Sequence, residues 1–362
     1  MRATRRRFLA GCLGAAALGA AGCGGPGGGP APRDAGAPTS GSRTAGAVAE
    51  YWPPASGPWE RVEPAAAGWD VGALEAAVAL AGERATGSLR VLLDGRVLVA
   101  REWGVPPDFA RDVASCQKSL VGLLVLVARD RDLLALDDAV TTHLGSGWSG
   151  TSPDREGGIT VRHLLTMTSG LDDRLRWAAP PGTTWRYNTT AYHRLQPVLE
   201  RATATELAAL SREWVTAPIG AVRSTWYRRP GPDPTGRPVL GLTMTTDDMA
   251  RLGLLVLRGG TWDGAPVVAA PTLEEALAPS QELNPAYGHL WWRNGAAAPY
   301  RIPGAPEDLV AALGNEDQKI YVSRSAGLVV SRLGERGGSG PPSSPDSFDS
   351  AFLGALMAAA PR

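Results

Sequence analysis

The sequence predicts an α+β domain in which one antiparallel sheet is built from both ends of the chain, with a helical lobe inserted between them. Three observations carry this. Strand-like segments cluster early, between residues 89 and 101, and return late, between 287 and 330, while helical patterns fill the middle. Asp94-Gly95, set between two apolar segments, marks an antiparallel hairpin. The unbroken apolar run Leu120–Val127, bounded by Lys118 and Arg129, is too apolar for a surface helix and too short for a membrane span, so it reads as a buried helix.

In chain order, Asp70 caps a short helix carrying Val71, Leu74, Val78 and Leu80. Leu89–Leu93 and Val97–Arg101 form the hairpin. Val105-Pro106-Pro107 makes a turn-rich loop into the buried helix. Thr160–Met167 is a capped short helix ending at Ser169-Gly170, and Ala191–Arg201, Glu206–Val215 and Thr246–Leu257 are further helices. Tyr287–Trp292, Leu309–Leu313, Ile320–Val322 and Leu328–Val330 are the late strands, the last two joined as a hairpin, and Phe348–Ala359 is a C-terminal helix. The helical lobe spans about residues 140–284.

At 362 residues, 44% hydrophobic and 20% charged with zero formal net charge, the chain is globular in composition. It has no basic run beyond the first seven residues, which gives a nucleic-acid partner no support. Its start reads as a targeting segment. Thr4-Arg5-Arg6-Arg7-Phe8-Leu9 resembles a twin-arginine signal, Ala10–Leu18 an apolar h-region, and Ala20-Ala21-Gly22-Cys23 a bacterial lipobox with Cys23 as the lipidated residue. The competing reading is a plain secretory signal cleaved near Ala21. The expectation is a signal over residues 1–23, a flexible Gly/Pro/Ala-rich tether over 24–58, and a domain over 59–362, exported and lipid-anchored to the membrane at the cell envelope or otherwise secreted.

The chemistry is expected at the start of the buried helix. Ser115 and Lys118 are three residues apart and share a helix face. A helix N-terminus opposes extra positive charge, and the neighbouring core desolvates the amine, so part of Lys118 is neutral and able to take the serine proton. Of 36 basic residues only Lys118 and Lys319 are lysine; arginine cannot be deprotonated in a protein, so a base has to be lysine. The alternative is a helix-start serine cap followed by a surface lysine.

Other chemistries find less support. There is no Gly-x-Ser-x-Gly, His-Glu-x-x-His, phosphate-binding loop or dinucleotide fingerprint. None of His143, His163, His193 and His289 sits in a catalytic signature. Cys116 is the one cysteine beyond the targeting segment, which leaves no internal disulfide and no cysteine metal site; it reads as a buried packing residue. No metal or cofactor is expected.

Several segments together resemble the serine β-lactamase and penicillin-binding-protein-like superfamily, specifically its class C β-lactamase-related hydrolases. They are Ser115-Cys116-Gln117-Lys118-Ser119, Ile159–Leu171, Pro181–Asn188, Gly241–Gly264 and Tyr287–Trp292, in family order from about residue 65 onward. The resemblance implies a β-lactamase/transpeptidase-like fold and an acyl-enzyme at Ser115. It makes Lys118 the base and Tyr187 a proton shuttle on the helical lobe, its phenol pKa lowered by nearby ammonium-type donors. The third motif aligns at Ala312-Leu313-Gly314. There Gly314 admits the substrate backbone, and the Asn315 amide pairs with that of Ser115 as an oxyanion hole. Trp291 and Trp292 are candidate pocket walls.

Two departures bear on substrate. The tyrosine motif reads Tyr187-Asn188-Thr189, so either Asn188 supplies a substrate-binding amide from a shifted position or Thr189 replaces it. Ala312 stands where the family places a cation for a substrate carboxylate, and Lys319 lies too far along the strand to stand in. The expected activity is therefore ester or amide hydrolysis on a small-molecule or peptide acyl substrate. The alternatives are a D-amino-acid peptidase or weak β-lactamase, and a non-catalytic lipoprotein that binds a cell-wall ligand.

Overall fold

The computed structural model describes residues 50–295 and 300–361; the signal segment with Cys23 and residues 24–49 of the tether lie outside them. Among the described residues no helix is long and apolar enough to cross a membrane.

The fold is α+β. Helix α1 (Val71–Glu83) is capped by Asp70, whose carboxylate accepts from Ala73 N at 2.9 Å. Strands β1 (Thr86–Leu93) and β2 (Arg96–Glu102) pair antiparallel around Asp94 and Gly95, both at positive φ as a tight hairpin turn requires. A short β3 (Ala110–Asp112) leads into α2 (Gln117–Asp130). Helix α3 (Val161–Leu165) follows, then α4 (Thr189–Tyr192) and α5 (Leu195–Thr203). Next come the hairpin β4 (Thr225–Pro232) and β5 (Pro238–Thr245), and the helices α6 (Thr246–Leu257) and α7 (Ala270–Leu277). The chain closes with β6 (Trp292–Arg293), β7 (Val310–Leu313), β8 (Lys319–Ser323), β9 (Leu328–Gly334) and α8 (Phe348–Ala359).

The main sheet runs β2-β1-β9-β8-β7-β6, so both ends of the chain meet where β1 pairs antiparallel with β9. One face is covered by α1 and α8, where Leu74, Val78, Phe352 and Leu356 pack on Leu89, Val91, Tyr321 and Val330. The other face carries the larger apolar cluster, with α2, α6 and the lobe. Every residue of α2 from Gln117 to Ala128 is buried, as expected of the apolar run. Helix α6 lies flat on the sheet: a Cβ added to Gly253 would stand 2.5 Å from Val329 Cγ1. That packing places α6 with the sheet rather than with the lobe to which its sequence position assigned it.

Other local expectations are corrected. The lobe region holds a second sheet, β3-β5-β4, hidden in the sequence because Pro230, Gly231, Pro232, Pro238 and Gly241 interrupt its alternation. Tyr287–Trp292 is mostly a tight loop, turned by Leu290 at φ 64°, and only Trp292–Arg293 pairs with β7. The helix expected over 191–201 is broken into α4 and α5, and the one over 206–215 ends in a wider turn at Arg212–Thr216. Ordered packing also begins before residue 59. Tyr51 is buried and its hydroxyl accepts from Glu60 N at 2.7 Å, Trp52 packs on Trp262, and Arg251 binds the Pro53 and Pro54 carbonyls. Residues 51–54, expected to lie in the tether, are therefore packed on the domain, because these aromatic rings find apolar partners there.

Candidate active site

The nucleophile turn is built by strand pairing and one carboxylate. Asp112 pairs with Thr243 on β5, and Val113 N donates to Leu242 O at 2.9 Å. Asp112 Oδ1 then accepts from Ala114 N at 2.8 Å, and Ala114 takes φ 49°, a left-handed conformation that costs a non-glycine residue about 1 kcal/mol or more. Ser115 follows in a single 3₁₀ turn, Ala114–Cys116, and remains partly exposed. One turn on, Lys118 is buried and its Nζ lies 2.8 Å from Ser115 Oγ. Ser115 caps no helix amide, and Lys118 is not on the surface, so the cap-and-surface-lysine alternative does not describe this turn.

Burial lowers the Lys118 pKa from its usual value to about 7, and the positive charge of Arg229 adds to the effect. The amine is packed against the rings of Tyr187 and Tyr192, 5.1 and 4.6 Å from their centroids. It is therefore substantially neutral near pH 7 and can accept a proton. Tyr187 differs from expectation. Its hydroxyl bonds Ser115, but burial pushes its pKa up to about 12, and the bond to Ser115 only partly offsets that. The Lys118 amine faces the aromatic ring, so desolvation governs and the group is a protonated phenol, a donor and not a base. Cys116 is a packing residue as expected: its buried Sγ donates to Ala312 O and Gln318 O, and burial pushes its pKa up to about 12.

Gly314 is extended at the end of β7, and its N donates to Gln318 O at 2.8 Å. A Cβ there would stand 2.5 Å from Val113 O and 3.2 Å from Cys116 Sγ, so only glycine lets β7 approach the nucleophile turn this closely. Asn315 is exposed and opens the turn Asn315–Asp317, which packs beside Ala114–Cys116. Glu316 and Asp317 both have φ 58°. The buried Arg332 guanidinium clamps that turn, donating to Asp317 O at 2.7 Å and also to Thr86 Oγ1, Arg84 O and Glu335 O.

Ser115, Lys118, Tyr187, Gly314 and Asn315 are thus brought together; Asn188 is not. Its side chain is buried and committed to backbone, accepting from Ala191 N at 2.9 Å and donating to Leu171 O and Asp172 O at 2.9 and 3.0 Å. A substrate-binding role for Asn188 is therefore corrected: it caps α4 and anchors the Tyr187 loop. Exposed Thr189 is the residue that faces the cavity instead. Trp291 is likewise buried in the core and is no pocket wall, whereas Trp292 is half-buried and stacks on Tyr187 with centroids 5.7 Å apart.

Beside Tyr187 opens a cavity of about 500 Å³, lined by Thr189, Thr190, His193, Arg229 and the proline-rich tip of the β4–β5 hairpin. Two cations near the site have carboxylate partners, while exposed Arg336 reaches Asn315 Oδ1 at 3.3 Å. Lys319 is buried between Asp349 and Asp317 at 3.0 and 3.1 Å, and Arg229 donates to Asp112 Oδ1 at 2.7 Å. The histidines are structural in their contacts: His163 completes the α3 cap, His143 pairs with Asp138, and His289 bonds Glu275 O. His193 lines the cavity and is held neutral by burial, its pKa pushed down to about 3. Among the described residues no group of three or more His, Cys, Asp or Glu is placed to hold a metal ion.

Sequence reasoning missed Asp112, Arg229 and Arg332. Each acts through contacts with residues distant in the chain, so no local motif marks them; for Arg229 a partial signal was available, an arginine pair inside an otherwise Pro/Gly-rich stretch.

Esterase EstB of Burkholderia gladioli is 33% identical to this chain in a match that covers 34% of the chain and 40% of that curated relative's length. Among solved structures, a β-lactamase of Mycobacterium bovis is 22% identical with a TM-score of 0.59, the match covering 78% of this chain and 98% of that one. A penicillin-binding-protein homologue of Caulobacter crescentus is 17% identical with a TM-score of 0.61, covering 80% and 97%. At such identities the two structures speak to the fold alone. The family model described as Beta-lactamase matches residues 71–346, which run from the first residue of α1 through the Ser115 turn and Tyr187 to the loop before α8. By that match the chain belongs to the Beta-lactamase family, within the serine β-lactamase and penicillin-binding-protein-like superfamily.

Proposed function

We propose that this chain is an exported serine hydrolase that cleaves a neutral ester or amide through an acyl-enzyme at Ser115. The observation that carries the reading is the 2.8 Å contact between Lys118 Nζ and Ser115 Oγ, with the amine buried and its pKa near 7. Neutral Lys118 takes the Ser115 proton as Oγ attacks the carbonyl carbon. The oxyanion that forms is received by the backbone amides of Ser115 and Asn315. Tyr187 donates its phenolic proton to the leaving group and is reprotonated from Lys118. Water then attacks the acyl-enzyme and gives up its proton to Lys118, which passes it to Ser115 Oγ as the ester bond breaks, releasing the acid and restoring the hydroxyl.

The neutral substrate follows from the committed cations. Position 312 is alanine, Lys319 is neutralised by two carboxylates, and Arg229 is paired with Asp112. Neither position 312 nor Lys319 offers a substrate carboxylate a free counter-charge, and burying one unpaired is costly. This favours an esterase or amidase over a β-lactamase or D-amino-acid peptidase, and the name of the Burkholderia relative, an esterase, points the same way. Export rests on the twin-arginine and lipobox-like patterns of residues 4–23, with the membrane contact made through Cys23.

The test is a panel of p-nitrophenyl esters, anilides and nitrocefin, with fluorophosphonate labelling, on wild-type and Ser115→Ala protein. Ester turnover and labelling that both vanish in Ser115→Ala are expected. Labelling that persists in the variant overturns the assignment of Ser115, and nitrocefin turnover equal to ester turnover overturns the preference for neutral substrates.

A further inference from the structure

The carboxylate of Asp112 is bonded on three sides, by groups from two parts of the chain. Oδ1 accepts from Ala114 N at 2.8 Å and from Arg229 Nη2 at 2.7 Å, and Oδ2 accepts from the Tyr227 hydroxyl at 2.7 Å. Ala114 is the left-handed residue immediately before Ser115, and Tyr227 and Arg229 stand on β4, which joins β3 only through β5. Arg229 also lines the cavity that Tyr187 borders. We propose that Asp112 is a positioning residue, whose single carboxylate both holds the strained turn that presents Ser115 and fixes the Arg229 guanidinium at the wall of the cavity that Tyr187 borders. The inference rests on the reading of Ser115 as nucleophile and Lys118 as base.

The surroundings of Lys118 isolate the effect of Arg229. From its own helix and the turn before it, Lys118 meets Ser115 and the thiol of Cys116; from the lobe it meets the rings of Tyr187 and Tyr192, with His193 behind them. Burial keeps the thiol and both phenols protonated and the imidazole unprotonated through the neutral pH range. Arg229 is the permanent cation among these groups, and it lowers the Lys118 pKa while desolvation supplies the larger part. A guanidinium that swings away leaves the amine more basic and protonated at neutral pH.

Ala114 supplies an independent handle. Glycine reaches φ 49° without a Cβ penalty, so a glycine there needs less help from the Asp112 bond.

The experiment measures kcat and KM against pH for a neutral p-nitrophenyl ester in wild type, Arg229→Gln, Arg229→Lys, Asp112→Asn and the double variant Asp112→Asn/Ala114→Gly. Arg229→Gln is expected to move the acidic limb of kcat/KM upward by about half to one pH unit, and Arg229→Lys to return most of it. Asp112→Asn is expected to lower kcat about tenfold or more with KM nearly unchanged, and Ala114→Gly to recover part of that loss. An acidic limb unmoved in Arg229→Gln, or an Asp112→Asn loss confined to KM or untouched by Ala114→Gly, overturns the inference. Should Asp112→Asn not fold, the Arg229 pair still decides the electrostatic half, and an unmoved limb sinks the proposal. Wild-type fluorophosphonate labelling that depends on Ser115 separates these failures from failure of the hydrolase reading, whose loss removes both.

Discussion

Lys118 and Ser115 are joined amine to hydroxyl at 2.8 Å, and the amine is one whose burial holds its pKa near 7. The pairing makes activity a titration of Lys118. Below pH 7 the amine is charged and cannot take the serine proton, so kcat/KM for a neutral ester should rise tenfold per pH unit on the acid side and level off above about 7. Lys118→Arg keeps the positive charge but no accessible neutral form, and should lose activity by about a thousandfold or more at every pH. A pH profile flat from 5 to 9 would refute the role given to Lys118.

Tyr187 is held as a protonated phenol bonded to Ser115, its pKa raised to about 12. Tyr187→Phe removes the donor but keeps the ring that stacks on Trp292. The loss should track the leaving group: about a hundredfold or more in kcat for an alkyl ester, whose alkoxide needs a proton, and much less for a p-nitrophenyl ester. Equal losses for the two esters would show that Tyr187 acts otherwise, as would a change confined to KM.

The same buried amine weakens the fold in acid. The Lys118 pKa is about 7 in the native state and near 10.5 in a solvated chain, so the unfolded state binds more protons between those values. Stability from this group therefore rises with pH from about 7 to 10.5, and the full penalty is present below 7. Lys118→Met should abolish ester turnover while raising Tm by several degrees at pH 6, with a gain that shrinks toward pH 10. Thermal unfolding followed by circular dichroism at the two pH values checks this; a destabilised variant at pH 6 contradicts it.

The nucleophile helix was legible in the sequence because its signals are local. An unbroken apolar run has to be buried, and i, i+3 spacing sets Ser115 and Lys118 on one face whatever surrounds them. The hairpin at Asp94-Gly95 and the helix Phe348–Ala359 were equally readable from turn chemistry and periodicity. The β4–β5 hairpin was not, since prolines and glycines mask its alternation and its strands are stabilised by pairing with each other and with β3.

The sequence by itself therefore determined the class of fold, from the order of strand-like and helical segments along the chain, and the buried helix and the adjacency of one serine to one lysine, from spacing and hydrophobicity within one segment. Only the tertiary structure decided the electrical state of the site. Whether Tyr187 is a phenol or a phenolate, whether Asn188 reaches substrate or caps a helix, and which cations are left without partners depend on solvent exclusion and on contacts between residues as far apart as Asp112 and Arg229. Burial and charge pairing are sums over everything nearby in space, and a chain read in order does not contain that sum.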